Sequence, residues 1–201
     1  MEITNISSSS RRDNRYNVFV NHKFSFSLSG DQLLETKLVV GEQVDKARLG
    51  VLKKQASENK LYALSLRYAS MRRRSLWEVE TYLTRKGSPT LLTQSILNKL
   101  SKVGLIDDEV FARAWIENRH LLRPTSRRRL VQELKQKRIS QAIIDKILSE
   151  AVADSVDLQK LIKQKQTQPK YADRLKLMQY LARQGFNYDD IKSALSEIDQ
   201  A

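Results

Sequence analysis

Two runs of three arginines are the residues of this chain best suited to chemistry, and that chemistry is the binding of anions. The runs comprise Arg72, Arg73, Arg74, Arg127, Arg128 and Arg129. A guanidinium donates two parallel hydrogen bonds to one phosphate or carboxylate group. Each run lies at a corresponding junction beside a predicted helix start, where free backbone amides also favour anions. The alternative is a solvated junction whose aliphatic stems cover apolar surface.

Further basic residues lie on predicted helices in the same part of the chain. One set closes a helix and comprises Lys135, Lys137 and Arg138, with Arg85 and Lys86 as counterparts in the first unit. The other set lies along the single predicted helix that follows Asp107 and comprises Arg113, Arg119 and Arg123. The first set could bind a partner or simply favour the negative end of the helix dipole. The second could bind a partner or form a solvated helix face.

Two other features have a functional and a structural interpretation. Trp77 and Trp115 lie beside apolar residues on predicted helices, so core packing competes with stacking on an unpaired base. The acidic triplet 107–109 could be a metal-ligand cluster. It lacks a nearby histidine and lies where a helix cap belongs, which favours capping.

Catalytic motifs are absent from the sequence. There is no phosphate-binding glycine loop, no GxSxG, no HExxH and no cysteine. The two histidines, His22 and His120, are far apart in sequence. We therefore expect neither an enzyme nor a bound cofactor or metal.

The positive charge is concentrated in the middle of the chain. The net charge is +13, and residues 60–150 hold 19 Lys and Arg against 9 Asp and Glu. Such a distribution is typical of an electrostatic footprint for a polyanion. It predicts nucleic acid or a nucleoprotein surface as the partner, although solubility charge on solvated helix faces is the alternative. With no cysteine, no signal peptide and no transmembrane run, we expect a soluble, cytoplasmic protein.

The N-terminal part has a strand pattern. Residues 1–14 are polar, with four consecutive serines, and are expected to be disordered. Residues 15–45 alternate with a period of two, which predicts a small β-hairpin with its loop at 21–23. Residues 38–40 could add a third strand, and residues 32–36 could form a helical turn or a loop.

The rest of the chain has helical periodicity. Residues 45–57 and 59–73 are predicted to form two helices. Ser75 and Glu78 form a capping box at the start of the next helix. Gly87 and Gly104 are predicted helix stops, and Asp107 is a predicted cap.

A short segment is repeated along the chain. Residues 82–87 (YLTRKG) are echoed by 180–185 (YLARQG) and more weakly by 133–138 (ELKQKR). Such repetition predicts stacked helical units, which present long surfaces suited to an extended partner. The predicted fold is all-α, with three tandem three-helix repeats in an elongated arrangement after the small β element. The expected ranges are 46–108 for the first repeat with its preceding helix, 109–152 for the second and 153–201 for the third.

The segment 104–113 (GLIDDEVFAR), with Arg119 beyond it, resembles the signature of the RecX regulatory proteins of bacteria. Residues 128–140 resemble the family's next helix and turn. The units around Ser75 and around residues 180–186 are similar to its opening and closing repeats. One departure is Arg138, where the family usually has glycine, so the turn must form without glycine's freedom at positive φ.

This resemblance implies a monomeric modulator of the RecA recombinase, usually an inhibitor. RecX-like proteins lie along the groove of the RecA filament on single-stranded DNA and impede ATP turnover and strand exchange. A partner set of RecA filament and single-stranded DNA follows from it, with no membrane and no small-molecule substrate. A stand-alone DNA- or RNA-binding regulator and a purely structural scaffold are the alternatives. The role of residues 1–59 is open.

Overall fold

The fold is mostly helical, with a small antiparallel sheet in its N-terminal part, as the sequence predicts. The computed structural model describes residues 1–9, 14–122, 124–150 and 154–199. Two compact units make up the chain. The first combines Met1–Arg67 with Leu83–Ile96, and the second combines Tyr68–Tyr82 with Leu97–Ala201.

The sheet has three strands in the order β1-β2-β3, namely β1 (Ile3–Ser8), β2 (Arg15–Val20) and β3 (Lys23–Ser29). The predicted hairpin is confirmed as β2 and β3, which pair antiparallel with Val18 opposite Phe26. Asn21 and His22 form its turn, and both have positive φ, as the tightest hairpin turns require. Ile3 and Val18 are fully buried in the core beneath the sheet.

The expectation of disorder over residues 1–14 is wrong for residues 3–8. They form β1, which pairs with β2 from Ile3 to Ser8. The strand was missed because its own apolar signal is only Ile3 and Ile6, and its order comes from pairing with a strand further along the chain. The third strand is therefore β1 and not residues 38–40, which form no strand. Residues 10–13 lie outside the described residues.

Two helices complete the N-terminal part, α1 (Gly30–Thr36) and α2 (Lys46–Ser70). Ser29 and Gln32 form a capping box at the start of α1. The prediction of two separate helices over 45–57 and 59–73 is wrong, because α2 runs through without a break. Residues 57–59 contain neither glycine nor proline, so nothing local interrupts the helix.

The remaining helices are α3 (Leu76–Arg85), α4 (Thr90–Lys102), α5 (Asp108–Leu122), α6 (Arg127–Gln136), α7 (Gln141–Glu150), α8 (Asp154–Gln166), α9 (Arg174–Arg183) and α10 (Tyr188–Asp199). The predicted capping box of α3 is confirmed. Glu78 N donates to Ser75 Oγ at 3.2 Å, and Ser75 N donates to the Glu78 carboxylate at 3.4 Å. Asp107 caps α5 through the amides of Glu109 and Val110.

Helices α5–α7 and α8–α10 each bury a core of their own. In α5–α7 the fully buried side chains include Ala112, Leu134 and Ile144. In α8–α10 they include Ile162 and Leu181. Tandem units that each bury an apolar cluster are what the internal repetition predicts.

The turn after α6 contains the one departure from the family pattern that the sequence revealed. Arg138 has φ +60°, whereas Gly87, Gly104 and Gly185 supply positive φ at the ends of α3, α4 and α9. A side chain in this left-handed region is strained by its Cβ. The chain therefore makes the expected turn with a residue that costs stability there.

Candidate partner-binding surface

Two helices of the second unit, α3 and α6, are each joined to a later helix at their N-terminus. In each case the first backbone amide donates to an aspartate that begins the later helix. The Leu76 amide, the first of α3, donates to Asp108 Oδ1 at 2.8 Å. The Arg127 amide, the first of α6, donates to Asp154 Oδ1 at 2.7 Å. Burial raises the pKa of both carboxyls, although these amide bonds oppose the rise. The first residue of α5 therefore satisfies an otherwise unpaired amide at the start of α3, and the first residue of α8 does the same for α6.

A second contact recurs two residues further along the same helices. Glu78, the third residue of α3, accepts from Lys137 Nζ at 2.7 Å. Arg129, the third residue of α6, donates to Gln184 Oε1 at 2.7 Å. Lys137 and Gln184 are the residues that end α6 and α9. The third residue of the helix thus makes the contact in both repeats. The contact is an ion pair at α3 and a hydrogen bond to a side-chain amide at α6.

The two arginine runs are not at equivalent positions, contrary to the expectation from sequence. Residues 72–74 precede the cap Ser75, whereas 127–129 follow the cap Ser126. When the caps are superimposed, Arg127 takes the place of Leu76 and Arg129 that of Glu78. The two runs therefore share three arginines but not a position in the repeat. The equivalent positions are defined by the serine that caps each helix.

Two members of the first run are held by neighbouring groups. Arg72 donates through both terminal nitrogens to the Glu78 carboxylate, each at 3.1 Å. The Arg74 guanidinium lies 3.9 Å from the centroid of the Tyr68 ring, which stacks on Tyr82. A ligand that bound these two arginines would therefore have to share them with Glu78 and Tyr68 or displace these partners.

Glu133 on α6 organises a cluster of aromatic and basic side chains. Its carboxylate accepts from Trp115 Nε1 and from Arg119 Nε, both at 2.8 Å. Arg129 Nε lies 3.5 Å from the other oxygen. The Arg119 guanidinium lies 5.0 Å from the Trp115 ring centroid. Glu133 therefore orients Trp115 and Arg119 together, a role that no sequence pattern indicated.

Arg113 is also paired within the protein. It binds Glu150 at 2.6 Å and Glu109 at 2.9 Å, which link α5 to α7 and to its own first turn. Hydrogen bonds from Arg113 and Lys146 hold the pKa of Glu109 below its usual value. This geometry favours the structural interpretation of Arg113 over partner binding.

Apart from Arg72, which is exposed but paired with Glu78, five of the candidate residues have exposed side chains: Arg73, Arg127, Arg128, Lys135 and Arg138. Within the described residues, no hydrogen bond or ion pair engages the side chains of Arg73, Arg128, Lys135 and Arg138. Arg123 lies outside the described residues. The exposed residues are thus available to an external anion without breaking an internal pair.

An open groove of about 500 Å³ brings several of these side chains together in the second unit. Its cations are Arg72, Arg73 and Arg119, and its apolar wall includes Trp115 and Leu122. Leu122 is 81% exposed. A wall of guanidinium groups beside an indole suits a ligand that combines an anion with a flat or apolar group.

Two other site types are absent from the described ranges. No group of three or more His, Asp or Glu there could hold a metal ion, and Asp107 serves as a cap. No helix in these ranges is long and apolar enough to cross a bilayer.

Three models of one protein family match the chain. The model of the regulatory protein RecX N-terminal domain matches residues 1–45. The models of the second and third RecX three-helix domains match residues 107–148 and 158–195. Together they account for more than half of the chain and include the β element whose role the sequence left open.

Similar proteins carry the same name. The Regulatory protein RecX of Lactobacillus johnsonii is 34% identical over 116 residues, which cover 58% of this chain and 42% of that protein. The Bacillus licheniformis protein of the same name is 29% identical over 206 residues, 98% of this chain and 77% of the relative. The chain spans less than half the length of the first of these relatives.

Solved structures agree with the fold. A crystal structure titled regulatory protein RecX superimposes with a TM-score of 0.67 at 24% identity, over 96% of this chain and 98% of the other. The crystal structure of RecX from Lactobacillus salivarius gives 0.63 at 23% identity, over 72% of this chain and 98% of the other.

Proposed function

The chain belongs to the RecX family of regulatory proteins, and from this premise we propose that it binds the RecA filament on single-stranded DNA and inhibits it. Inhibition would act on the ATP hydrolysis and strand exchange of the filament. The binding surface in this proposal is the basic surface of the second unit.

The groove lined by Arg72, Arg73, Trp115 and Arg119 is the observation on which the proposal rests. A RecA filament on DNA offers acidic protein surface and DNA phosphate side by side, and guanidinium groups bind both. The exposed Arg128, Lys135 and Arg138 add further positive charge to the second unit outside the groove. Their charge would also speed association with a polyanion, and that gain falls as salt rises.

The experiment is a titration of this protein into RecA that is hydrolysing ATP on single-stranded DNA. Binding to the same DNA without RecA, at the same salt concentration, is measured in parallel. The proposal predicts inhibition well below the protein concentration that coats the DNA. Inhibition that appears only as the DNA becomes coated, or no inhibition, would contradict it.

A stand-alone nucleic-acid-binding regulator is the second candidate, and the position of Trp115 favours it specifically. Its half-buried ring lines the same groove as three arginines, and an unpaired base can stack on such a ring. A Trp77→Phe variant leaves Trp115 as the only tryptophan of the chain. This candidate predicts that a single-stranded oligonucleotide quenches the remaining fluorescence without RecA. Unchanged fluorescence at saturating oligonucleotide would exclude stacking on Trp115.

A further inference from the structure

Helices α8 and α9 of the third repeat form a basic segment outside the residues assigned above. Residues 159–183 carry seven Lys and Arg against one acidic residue, Asp173, which gives a formal net charge of +6. The Asp173 carboxylate caps α9 by accepting from the amides of Leu175 and Lys176. The one acid of the segment is therefore bonded to backbone amides and not to a cation.

Two tyrosines position two of these lysines. The rings of Tyr171 and Tyr180 are half-buried against the core of α8–α10, and their centroids lie 4.9 Å apart. Lys165 Nζ lies 5.4 Å from the Tyr180 centroid and 5.8 Å from the Tyr171 centroid. Lys170 Nζ lies 5.7 Å from the Tyr171 centroid. A ring attracts an ammonium group but has no net charge, so both lysines are held without being neutralised.

These four residues form a tyrosine–lysine corner between α8 and α9, and its polar groups are suited to an anion. Among the described residues, no ion pair engages Lys165 or Lys170, and no hydrogen bond engages the hydroxyls of Tyr171 and Tyr180. A phenol hydroxyl donates a hydrogen bond to a phosphate oxygen, and lysine supplies the opposite charge. The corner thus offers two cations and two neutral donors to an anionic ligand.

The positive surface continues from the corner along α9. Lys176, Tyr180 and Arg183 share one face of this helix, at spacings of four and three residues. Lys176 and Arg183 are both exposed and seven residues apart, a rise of about 10 Å along the helix axis. One small anion cannot span this distance, whereas a chain of phosphates can. The arrangement therefore suits an extended polyanion.

Arg183 also belongs to an open groove of about 470 Å³ that is lined by α6 and by the end of α9. Arg128 and Arg129 are the other cations of this groove. Glu133 is the one acid among its lining residues, and the Glu133 carboxylate already accepts from Arg119. Arg183 therefore joins the tyrosine–lysine corner to the exposed Arg128 on α6.

We propose that the tyrosine–lysine corner, together with Lys176 and Arg183, binds the phosphates of a single-stranded nucleic acid. A flexible strand can follow cations that lie on two helices and the turn between them, whereas a duplex stays straight over such a length. The proposal goes beyond filament inhibition and does not rest on it. It assigns a ligand to the third repeat and requires neither RecA nor the groove at Trp115.

The test measures binding of a fluorescein-labelled oligothymidylate to the full chain, by anisotropy over a range of salt concentrations. Lys165→Gln with Lys170→Gln removes both cations of the corner. The matched control, Lys160→Gln with Lys192→Gln, removes the same charge from exposed positions of the same repeat. Each neutralised phosphate contributes about 0.7 to the slope of log K against log salt for single strands. The corner variant is expected to bind more weakly, with a slope shallower by about 1.4, and the control to keep the wild-type slope.

Equal slopes for the two lysine variants would overturn the proposal. Tyr171→Phe with Tyr180→Phe removes the hydroxyls and keeps the rings that hold the lysines. Binding several-fold weaker than wild type with an unchanged slope is expected, and wild-type affinity would overturn the role of the hydroxyls. Thermal unfolding followed by circular dichroism establishes that each variant is folded before its affinity is compared.

Direct titrations with a labelled duplex and with labelled polyglutamate identify the class of ligand. The loss of affinity caused by Lys165→Gln with Lys170→Gln is expected to be largest for the oligothymidylate. A larger loss for the duplex would refute the assignment to a single strand, and a larger loss for polyglutamate would make the corner a site for acidic protein. Because RecA is absent from these assays, their outcome is independent of the ATPase titration.

Discussion

The ammonium of Lys137 lies 2.7 Å from the carboxylate of Glu78, although 59 residues separate the two in sequence. Glu78 is the third residue of α3 and Lys137 is the residue that ends α6. The same carboxylate accepts from Arg72 and completes the capping box with Ser75. One buried acid therefore caps a helix, holds a candidate binding arginine and joins two repeats.

Replacing Glu78 with Gln is expected to destabilise the protein by about 1.5–3 kcal/mol, the usual worth of hydrogen bonds to a charged group. The amide keeps the size of the side chain but loses the charge that Arg72 and Lys137 bind. Urea denaturation measures the loss. Glu117→Gln on the exposed face of α5 is the control and should change stability by less than about 0.5 kcal/mol. Equal effects of the two substitutions would contradict this role for Glu78.

Acid should weaken the same junction. Burial raises the pKa of Glu78, but the bonds from Arg72 and Lys137 outweigh burial, so its pKa lies below the ordinary value of 4.5. A depressed folded pKa contributes stability above the unfolded pKa, and that contribution is lost as the pH falls through the folded pKa. Unfolding free energy measured from pH 6 downward should therefore fall less steeply in Glu78→Gln than in wild type. Parallel curves would contradict the prediction.

The stability of the protein should tolerate loss of the Asp108 charge but not loss of the side-chain oxygen that accepts from the Leu76 amide. Burial raises its pKa, so ionisation of this carboxyl costs more free energy in the folded protein than in the unfolded chain. Asp108→Asn keeps an acceptor for the Leu76 amide, and its stability at pH 7 should equal or exceed that of wild type. Asp108→Ala removes the acceptor and should cost about 1 kcal/mol. Thermal unfolding distinguishes the two, and a larger loss for Asn than for Ala would refute this interpretation.

Arg138→Gly should stabilise the turn after α6. Its φ of +60° costs a residue with a Cβ about 1–2 kcal/mol, which glycine avoids. Greater freedom of glycine in the unfolded chain reduces the gain to about 1 kcal/mol or less. Arg138→Ala is the control, because it removes the charge but keeps the strained Cβ. If Ala raises the melting temperature as much as Gly does, the strain is not the cause.

Substitutions of exposed basic residues should weaken partner binding without lowering stability, whereas substitution of an internally paired arginine should lower stability. Changing Arg73, Arg128 and Lys135 together to Gln is expected to leave stability within about 0.5 kcal/mol for each change and to weaken RecA inhibition several-fold. Arg119→Gln should instead lower stability by about 1.5–3 kcal/mol, because it leaves Glu133 with one fewer charged donor. Unfolding curves and the ATPase titration report the two effects. Full inhibition by the triple variant would place the filament contact elsewhere.

The local features of the helices were predictable from sequence because they depend on residues close together in the chain. The capping box of Ser75 and Glu78, the cap Asp107, the stop at Gly104 and the hairpin turn at Asn21 all act over a few residues. The RecX resemblance likewise rested on short contiguous segments, of which residues 104–113 are the most specific. Strand β1 and the uninterrupted α2 were missed, since the order of β1 comes from pairing with β2 and the polar residues 57–59 do not break a helix.

The sequence by itself determined the helical class, the repetition and the concentration of positive charge in residues 60–150. It also supplied a set of basic candidates without separating binding residues from structural ones. Only the tertiary structure made that separation, by bringing Glu78 to Lys137 and Glu133 to Trp115 and Arg119. The physical reason is that local hydrogen bonds and side-chain periodicity act within a few residues. An ion pair forms wherever folding places two charges in contact, and sequence spacing carries no record of that distance.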